Sequence, residues 1–497
     1  MKLLLIGHDY RYAVEQIMLS LFPNERPEYD SPPDAGAGSL SAESRLSYGN
    51  VFAQAITVIY RGKDVSRGYA RVRASRLTGK LTTDRLLQRI VKQSFFKAAA
   101  PFIEAQPVWG SLTGIRPARL AAEALSSGKD ERIVARMLTR EYYVSPDRAE
   151  LCVEAARSAL DVMSSLDPAD IALYIGVPFC PSRCAYCSFV SNDVEKSFGL
   201  VAPFTETLLR EIQEVSAAVG ALGLRIVTVY IGGGTPTVLP PNELEAVMDA
   251  LEKSFDLSRC REYTVEAGRP ETVTAQKLEI MNRYGCGRVC VNPQSMSADV
   301  LKAIGRGHTP EDVIDAVRLV RRSGMSLNMD IIAGLPGDTR EAFRRTLDAV
   351  LRFAPENITV HTLSLKKGAR VMLENTPAPS GADVAGMLEY SSRRLRESGY
   401  RPYYIYRQKY TSGGFENTGW RLPGRECLYN ICMMEELCTV LALGGGGVTK
   451  LVAPGGRIER VFNAKYPREY IAQSDKQRSS KLERKIDRIE SFLSGGE

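Results

Sequence analysis

Tyr174-Ile-Gly-Val-Pro-Phe-Cys-Pro-Ser-Arg-Cys-Ala-Tyr-Cys187 is the stretch around which the rest of the chain is organised. It sets Cys180, Cys184 and Cys187 in a C-x3-C-x2-C spacing directly after a short apolar run. Thiolates at that spacing on one tight loop can hold three corners of a [4Fe-4S] cluster. The remaining iron then has no protein ligand and can bind a small molecule directly, which is a catalytic arrangement. Zinc is the competing reading, but a structural zinc site closes with four ligands, and no His lies near the loop. A disulfide would account for only two of the thiols.

Working outward, residues 170–365 alternate strand and helix signals. The pattern predicts strands at 171–177, 226–231, 262–266, 288–292, 326–332 and 358–363. Helical periodicity falls between them, at 203–219, 241–255, 272–284, 309–323 and 339–353. Strands joined by helical crossovers make a parallel sheet. Right-handed crossovers curl such a sheet into a partial (β/α)6 barrel. Functional residues then belong at the C-terminal ends of the strands, and the cysteine loop follows the first of them.

A chain of 497 residues divides into two or three domains. The expectation is an α/β protein with an N-terminal α+β domain at 1–165, the partial barrel at 166–365 and a C-terminal α+β region at 366–497. Strand character at 2–6 and 52–60, a hairpin around Arg61–Asp64, and helices at 83–98, 118–125 and 145–164 describe the first domain. Pro107–Pro117 carries Trp109 and reads as a turn with a packed Trp or as a binding surface. In the C-terminal region, helices are expected at 387–398 and 427–443, a strand at 403–408, and a charged amphipathic helix in the tail.

The apolar run Leu3–Ile6 stops at Gly7, too short for the ~7–15 residues of a secretory h-region. No run approaches the ~20 residues of a membrane span, so a soluble cytoplasmic protein is expected. Ten Cys without a signal peptide do not read as a disulfide framework. Cys427, Cys432 and Cys438 read as a second cluster or as buried small hydrophobes, and their spacings favour the latter. The net charge of +7 reads as solubility or an anionic substrate and implies no nucleic acid.

Other strand ends carry chemistry. Gly232-Gly233-Gly234-Thr235-Pro-Thr237 follows the second strand and lets ligand atoms approach the backbone without a Cβ in the way. It lacks the Lys-Ser/Thr of a phosphate loop. Glu266 ends the third strand, Gln294 follows the fourth, Asp330 sits within the fifth and Ser364 follows the sixth, and Arg306 can pair with a carboxylate.

The cysteine loop resembles that of the radical S-adenosylmethionine (SAM) enzymes. The longer pattern resembles the oxygen-independent coproporphyrinogen III oxidase family, in its coproporphyrinogen dehydrogenase subgroup with a long N-terminal domain. Its carriers are Tyr174 to Cys187, Gly232 to Thr237, Glu266, Gln294, Arg306 and Asp330, with Thr113–Pro117, Tyr406–Lys409, Glu416-Asn417 and Gly444–Gly447 more loosely. The resemblance implies a [4Fe-4S] cluster on Cys180, Cys184 and Cys187. SAM would sit on the cluster, near Tyr174, Gly233 and Glu266. A second SAM would touch Tyr186, Gly234, Thr235, Gln294, Arg306, Asp330 and Ser364.

It further implies that an electron from the cluster, delivered by a donor such as flavodoxin or ferredoxin, splits the sulfonium to a 5'-deoxyadenosyl radical. That radical would start the decarboxylation of coproporphyrinogen III propionates to the vinyl groups of protoporphyrinogen IX. Arg407 and Lys409 would share a strand face, which reads either as a solvated face or as one that could meet propionates.

The pattern also departs from the family. Gly176 stands where well-known members carry His, and Phe189 where they carry a fourth Cys. The His-Asn-x2-Tyr-Trp stretch of the haem-chaperone relatives is absent. His8, His308 and His361 read as surface or core residues. Other radical chemistry on a haem-like ring, and a haem chaperone that uses the cluster for assembly, therefore stay open.

Overall fold

The computed structural model describes residues 1–29, 40–187, 192–364, 377–408, 414–453, 457–472, 484–489 and 491–492. Two compact units divide at Val153/Glu154, inside the helix Pro146–Ser164, with Phe415 grouped with the first.

The first unit holds a five-stranded sheet in the order Glu28–Tyr29, Lys2–Ile6, Leu40–Tyr48, Phe52–Arg61, Asp64–Arg73. Strict alternation along Phe52–Arg61 puts Ala53, Ala55, Thr57 and Ile59 on one buried face. The helices Arg11–Leu21 and Lys80–Ala99 share one hydrophobic cluster with that face. Gly68 permits the closest approach, since a Cβ there would lie 1.9 Å from the Ser94 carbonyl oxygen. The hairpin turns at Arg61 and Asp64 as expected. Helix Glu131–Glu141 was not anticipated; Asp130 caps its N-terminus. Trp109 is buried, and Gly110 (φ +51°) packs against the Tyr142 and Tyr143 carbonyls. Pro107–Pro117 is thus a turn with a packed Trp.

In the second unit the cysteine loop sits at the end of β1 (Asp170–Val177). There follow α1 (Val201–Ala221), β2 (Arg225–Gly233), α2 (Pro241–Ser254), β3 (Glu262–Glu266), α3 (Ala275–Arg283), β4 (Arg288–Cys290), α4 (Pro310–Ser323), β5 (Ser326–Ala333), α5 (Arg340–Arg352) and β6 (Asn357–Thr362). These strands pair in parallel and in chain order, as a partial (β/α)6 barrel requires. Local signals set the boundaries: Thr309 and Asp312 form a capping box for α4, and Gly324 ends it in the left-handed region.

Among the described residues the C-terminal region builds no sheet of its own. After α6 (Gly381–Glu397), β7 (Arg401–Arg407) and β8 (Glu416–Arg421) pair antiparallel beyond β6. Past α7 (Leu428–Glu435), β9 (Thr439–Gly444) adds in parallel beside β1, and β10 (Val448–Val452) and β11 (Ile458–Phe462) close that edge. Among the described residues the main sheet of this unit therefore has eleven strands, in the order β7-β8-β6-β5-β4-β3-β2-β1-β9-β10-β11, and Phe179–Cys180 pairs separately with Asn192–Asp193.

The helix expected over 427–443 is corrected: it ends at Glu435, Glu436 turns left-handed (φ +55°), and Thr439–Gly444 is a strand. A continuous apolar run buried on both faces reads alike as helix or parallel strand. Cys427, Cys432 and Cys438 are buried in an apolar cluster with Tyr403, Tyr404 and Tyr429. Most of the expected tail helix, and Phe189 and Lys409, lie outside the described residues.

Helix α7 is held at the N-terminal end of the barrel by buried charge. The Glu262 carboxylate accepts from the Leu428 and Tyr429 backbone N–H groups at 2.8 and 3.0 Å. Arg288 pairs with Glu262 at 3.3 Å and donates to the Glu426 carbonyl at 3.1 Å. A carboxylate on a helix N-terminus with an Arg behind it leaves neither charge unpaired.

Candidate active site at the C-terminal rim

The cysteine loop and the glycine edge are stitched together. Gly234 N–H donates to the Val177 carbonyl at 2.8 Å, and Thr235 N–H to the Phe179 carbonyl at 2.7 Å. The Thr235 hydroxyl donates to Cys180 Sγ at 3.5 Å. Gly233 (φ +116°) runs against Val177. A Cβ at Gly234 would lie 2.3 Å from the Phe179 carbonyl oxygen and 3.0 Å from Cys180 Sγ. Gly234→Ala should therefore displace the loop, since the first obstacle is backbone. The expected result is clearly lowered iron uptake on reconstitution and a stability loss of ~1–3 kcal/mol, read by iron assay and urea titration.

Gly176 also has a reason. A Cβ there would sit 2.7 Å from the Gly445 carbonyl oxygen, and Gly444 (φ +83°) packs back on Gly176. The Gly444–Gly447 turn after β9 thus takes the space into which a side chain at 176 would project.

Cys184 is buried beneath the loop. Ala185 N–H donates to the Ile304 carbonyl at 2.9 Å, and Cys187 N–H to the Cys184 carbonyl at 3.1 Å. Tyr186 packs on Val300, Leu301, Ile304, Ile332, Leu335 and Leu363. Burial lifts its hydroxyl's pKa, and Arg306 beside it counters in part. The Arg306 guanidinium donates to the Gly268 and Asn292 carbonyls.

Glu266 accepts from Asn292 Nδ2 at 3.4 Å. Burial, and then the nearby Asp330 carboxylate, push its pKa up to about 8, against weaker opposing pulls from Tyr230 and Arg306. Asp330 faces His361, Oδ2 to Nε2 at 3.5 Å, and His361 Nδ1 meets the Tyr406 hydroxyl at 3.4 Å. Gln294, in the left-handed region at φ +64°, is clipped to β5 by backbone bonds to Asp330 and Ile332. Ser364 lies two residues past the end of β6 on the same rim.

Tyr174 stacks with Tyr230 and Tyr429 at 6.3 and 6.0 Å, and Tyr230 with Tyr429 at 4.4 Å, an aromatic floor in the barrel interior. Asn292, Arg269, Tyr230 and Tyr429 were not read from the sequence, and His361 was read only as structural. The three-residue step from Glu266 to Arg269 was a visible signal; the approach of Tyr429 was not. His308 is buried between charged groups, and burial followed by Arg306 lowers its pKa to about 4, so it is neutral at physiological pH.

Because Glu266 keeps its proton in the fold, its contribution has the reverse of the usual carboxylate sign. Above about pH 5 the unfolded chain is ionised at this position and the folded one is not. Stability then falls as pH rises toward 8, with a slope of up to ~1.4 kcal/mol per pH unit. Glu266→Gln should remove that slope, so the variant gains on the wild type between pH 5.5 and 7.5 in urea titrations.

The residues fit an iron–sulfur cluster and a polar amino-acid-like ligand. Among the described residues no three His, Cys, Asp or Glu side chains converge on one metal-ion position, but a cluster asks each thiolate to take a different iron. Asn292 Oδ1, Gln294 Oε1 and Arg306 Nε are buried with no hydrogen-bond partner. Buried polar atoms of this kind are satisfied when a ligand binds.

The family model of the radical SAM superfamily matches residues 174–350, which defines the class of protein to which this fold and rim belong. The "oxygen-independent coproporphyrinogen-III oxidase-like protein HemZ" of Bacillus subtilis is 38% identical over 370 residues, covering 73% of this chain and 74% of the relative. The chain therefore belongs to the oxygen-independent coproporphyrinogen-III oxidase-like family of radical SAM proteins. The family's cofactors are a [4Fe-4S] cluster and SAM. The "heme chaperone HemW" of Escherichia coli is 27% identical over 304 residues, 61% of this chain and 75% of that relative. Among solved structures, coproporphyrinogen III oxidase (HemN) of Escherichia coli, described as a radical SAM enzyme, matches with a TM-score of 0.51 at 20% identity. That likeness covers 64% of this chain and 72% of that one and bears on the fold alone. Among the described residues no helix is long and apolar enough to cross a membrane.

Proposed function

We propose that this chain is a cytoplasmic radical SAM enzyme that oxidatively decarboxylates coproporphyrinogen III to protoporphyrinogen IX. The observation that carries the reading is the single rim on which the cysteine loop, the glycine edge, Glu266 and Asp330 meet, in a chain so similar to an oxidase-like relative. Bound together, the cluster and SAM supply a carbon-centred radical that takes one hydrogen from the substrate.

In this reading Cys180, Cys184 and Cys187 hold the cluster. Gly233 and Glu266 grip the polar end of SAM, with Tyr174 in the aromatic floor beside it. Tyr186, Gly232, Gly234, Thr235, Gln294, Arg306, Asp330 and Ser364 line the space for a second ligand, a second SAM or the substrate. The chain's task is positional: the reacting carbons must approach to ~3–3.5 Å. Each propionate would give one hydrogen atom to the 5'-deoxyadenosyl radical, lose CO2 and pass one electron to a one-electron acceptor to become a vinyl group, and flavodoxin or ferredoxin is the donor class proposed for the cluster.

The test is an anaerobic reaction of reconstituted protein with SAM, reductant and coproporphyrinogen III, followed by mass spectrometry. Expected products are 5'-deoxyadenosine, CO2 and a tetrapyrrole with two vinyl groups. Formation of 5'-deoxyadenosine without CO2 would refute decarboxylation and leave other radical chemistry. Stoichiometric haem binding with no SAM cleavage would favour the chaperone reading that the Escherichia coli relative's name brings in.

A further inference from the structure

The loop after β3 sends a second charged group toward the cysteines, three residues beyond Glu266. Arg269 is only 3% exposed. Its Nη1 donates to Cys184 Sγ at 3.4 Å and to the Ser182 carbonyl at 3.3 Å, and Nη2 donates to Ser182 Oγ at 3.0 Å. Its Nε donates to Glu271 Oε1 at 2.9 Å. The fork therefore spans the middle of the cysteine loop, touching a cluster thiol on one side and the backbone between Cys180 and Cys184 on the other. Arg306, the other guanidinium on this rim, donates through Nη1 to the Gly268 and Asn292 carbonyls and also faces Cys184, so Arg269 is the more deeply buried of two cations at that thiol. Nothing in the chemistry assigned above uses Arg269.

The physical consequence follows from charge. A [4Fe-4S] cluster held by three thiolates carries one negative charge when oxidised and two when reduced. Hydrogen bonds to its sulfurs and positive charge in a poorly solvated setting stabilise the more negative state more strongly. Glu271, the counter-ion, is 29% exposed at its side chain and so partly screened. The guanidinium donates directly to the sulfur, and Glu271 is held on the guanidinium, so the cation's effect on the sulfur dominates.

We propose that Arg269 is a tuning and positioning residue for the cluster: its buried N–H bond to Cys184 Sγ raises the cluster's reduction potential, and its bonds to Ser182 hold the loop in ligating shape. This rests on the reading that Cys180, Cys184 and Cys187 carry a [4Fe-4S] cluster. It does not depend on which tetrapyrrole, if any, is the substrate. Arg and Lys differ at such a site, because only Arg can serve sulfur, carbonyl and hydroxyl from one rigid plane.

The experiment compares the reconstituted full-length wild type with Arg269→Met and Arg269→Lys. Iron content is measured first, and the potential is then followed by redox titration with electron paramagnetic resonance. With the wild type poised half-reduced, the reduced-to-oxidised ratio of Arg269→Met is expected to be about tenfold lower, a shift of ~59 mV for one electron. Arg269→Lys, which keeps charge but loses the fork, should fall between, with altered g-values. An Arg269→Met protein with full iron content and the wild-type potential and spectrum overturns the proposal. If Arg269→Met takes up no cluster, Arg269→Lys decides: an unshifted potential overturns tuning, and a lowered one supports it. A wild type that binds no iron–sulfur cluster instead refutes the parent reading.

Discussion

Cys184→Ala should yield a folded protein that no longer holds a [4Fe-4S] cluster and forms no 5'-deoxyadenosine above background. The thiol is buried, with its side chain aimed beneath the loop toward Arg269. Loss of one of three thiolates leaves two irons without protein ligands, which is incompatible with a stable site-differentiated cluster. The fold should survive, because the change removes one small buried atom and costs ~1 kcal/mol or less through packing. Circular dichroism checks the fold, iron and sulfide assays check the cluster, and chromatography checks SAM cleavage. Undiminished cleavage by Cys184→Ala would remove the basis for the whole functional reading.

The second large effect lies in stability. Glu211, on α1, is enclosed by the C-terminal residues. Its carboxylate accepts from Gly444 N–H at 2.8 Å, the Tyr470 hydroxyl at 2.6 Å, Asn463 Nδ2 at 2.9 Å and Lys485 Nζ at 2.9 Å. Lys485 also donates to the Ala442 carbonyl at 2.7 Å. Burial pushes the Glu211 pKa up, but Lys485, Gly444 and Tyr470 together hold it below the ordinary carboxylate value.

Truncation to Ala leaves Lys485 charged and unpaired in the interior, at a cost of ~3–5 kcal/mol. Denaturation followed by Trp420 fluorescence in a Trp109→Phe background reads the second unit. Glu211→Leu combined with Lys485→Met should recover part of the loss, because no orphan charge remains. A depressed carboxylate contributes fully above its unfolded pKa and loses that contribution as pH falls through the folded one. The gap between wild type and Glu211→Ala should therefore narrow in acid. A single-variant loss within ~0.5 kcal/mol, as for ordinary surface changes, would mean that the pair does not latch the Gly444–Gly447 turn to the barrel.

Much of the barrel was legible because its signals are local. Capping residues such as Thr309 and Thr339, apolar runs of strand length and helical periodicity between them each act within a few residues of themselves. The Cys180–Cys187 spacing was legible for the same reason. Thr439–Gly444 was not, because its apolar run suits a helix as well as a strand, and only pairing with β1 settles which. His361 was set aside as structural, because nothing near it in sequence announces Asp330 or Tyr406.

Sequence by itself determined that a parallel α/β sheet would carry three closely spaced thiols at the exit of its first strand, followed by a glycine edge and a series of polar strand ends. These follow from spacing and periodicity, which the covalent chain sets. Tertiary structure alone decided that Arg269 reaches Cys184, that burial, with Asp330 adding to it, raises the Glu266 pKa, and that Gly444–Gly445 fill the space beside Gly176. Each of these depends on which distant residues share a low-dielectric interior. Burial and through-space charge depend on packed distances, which residue order does not encode locally.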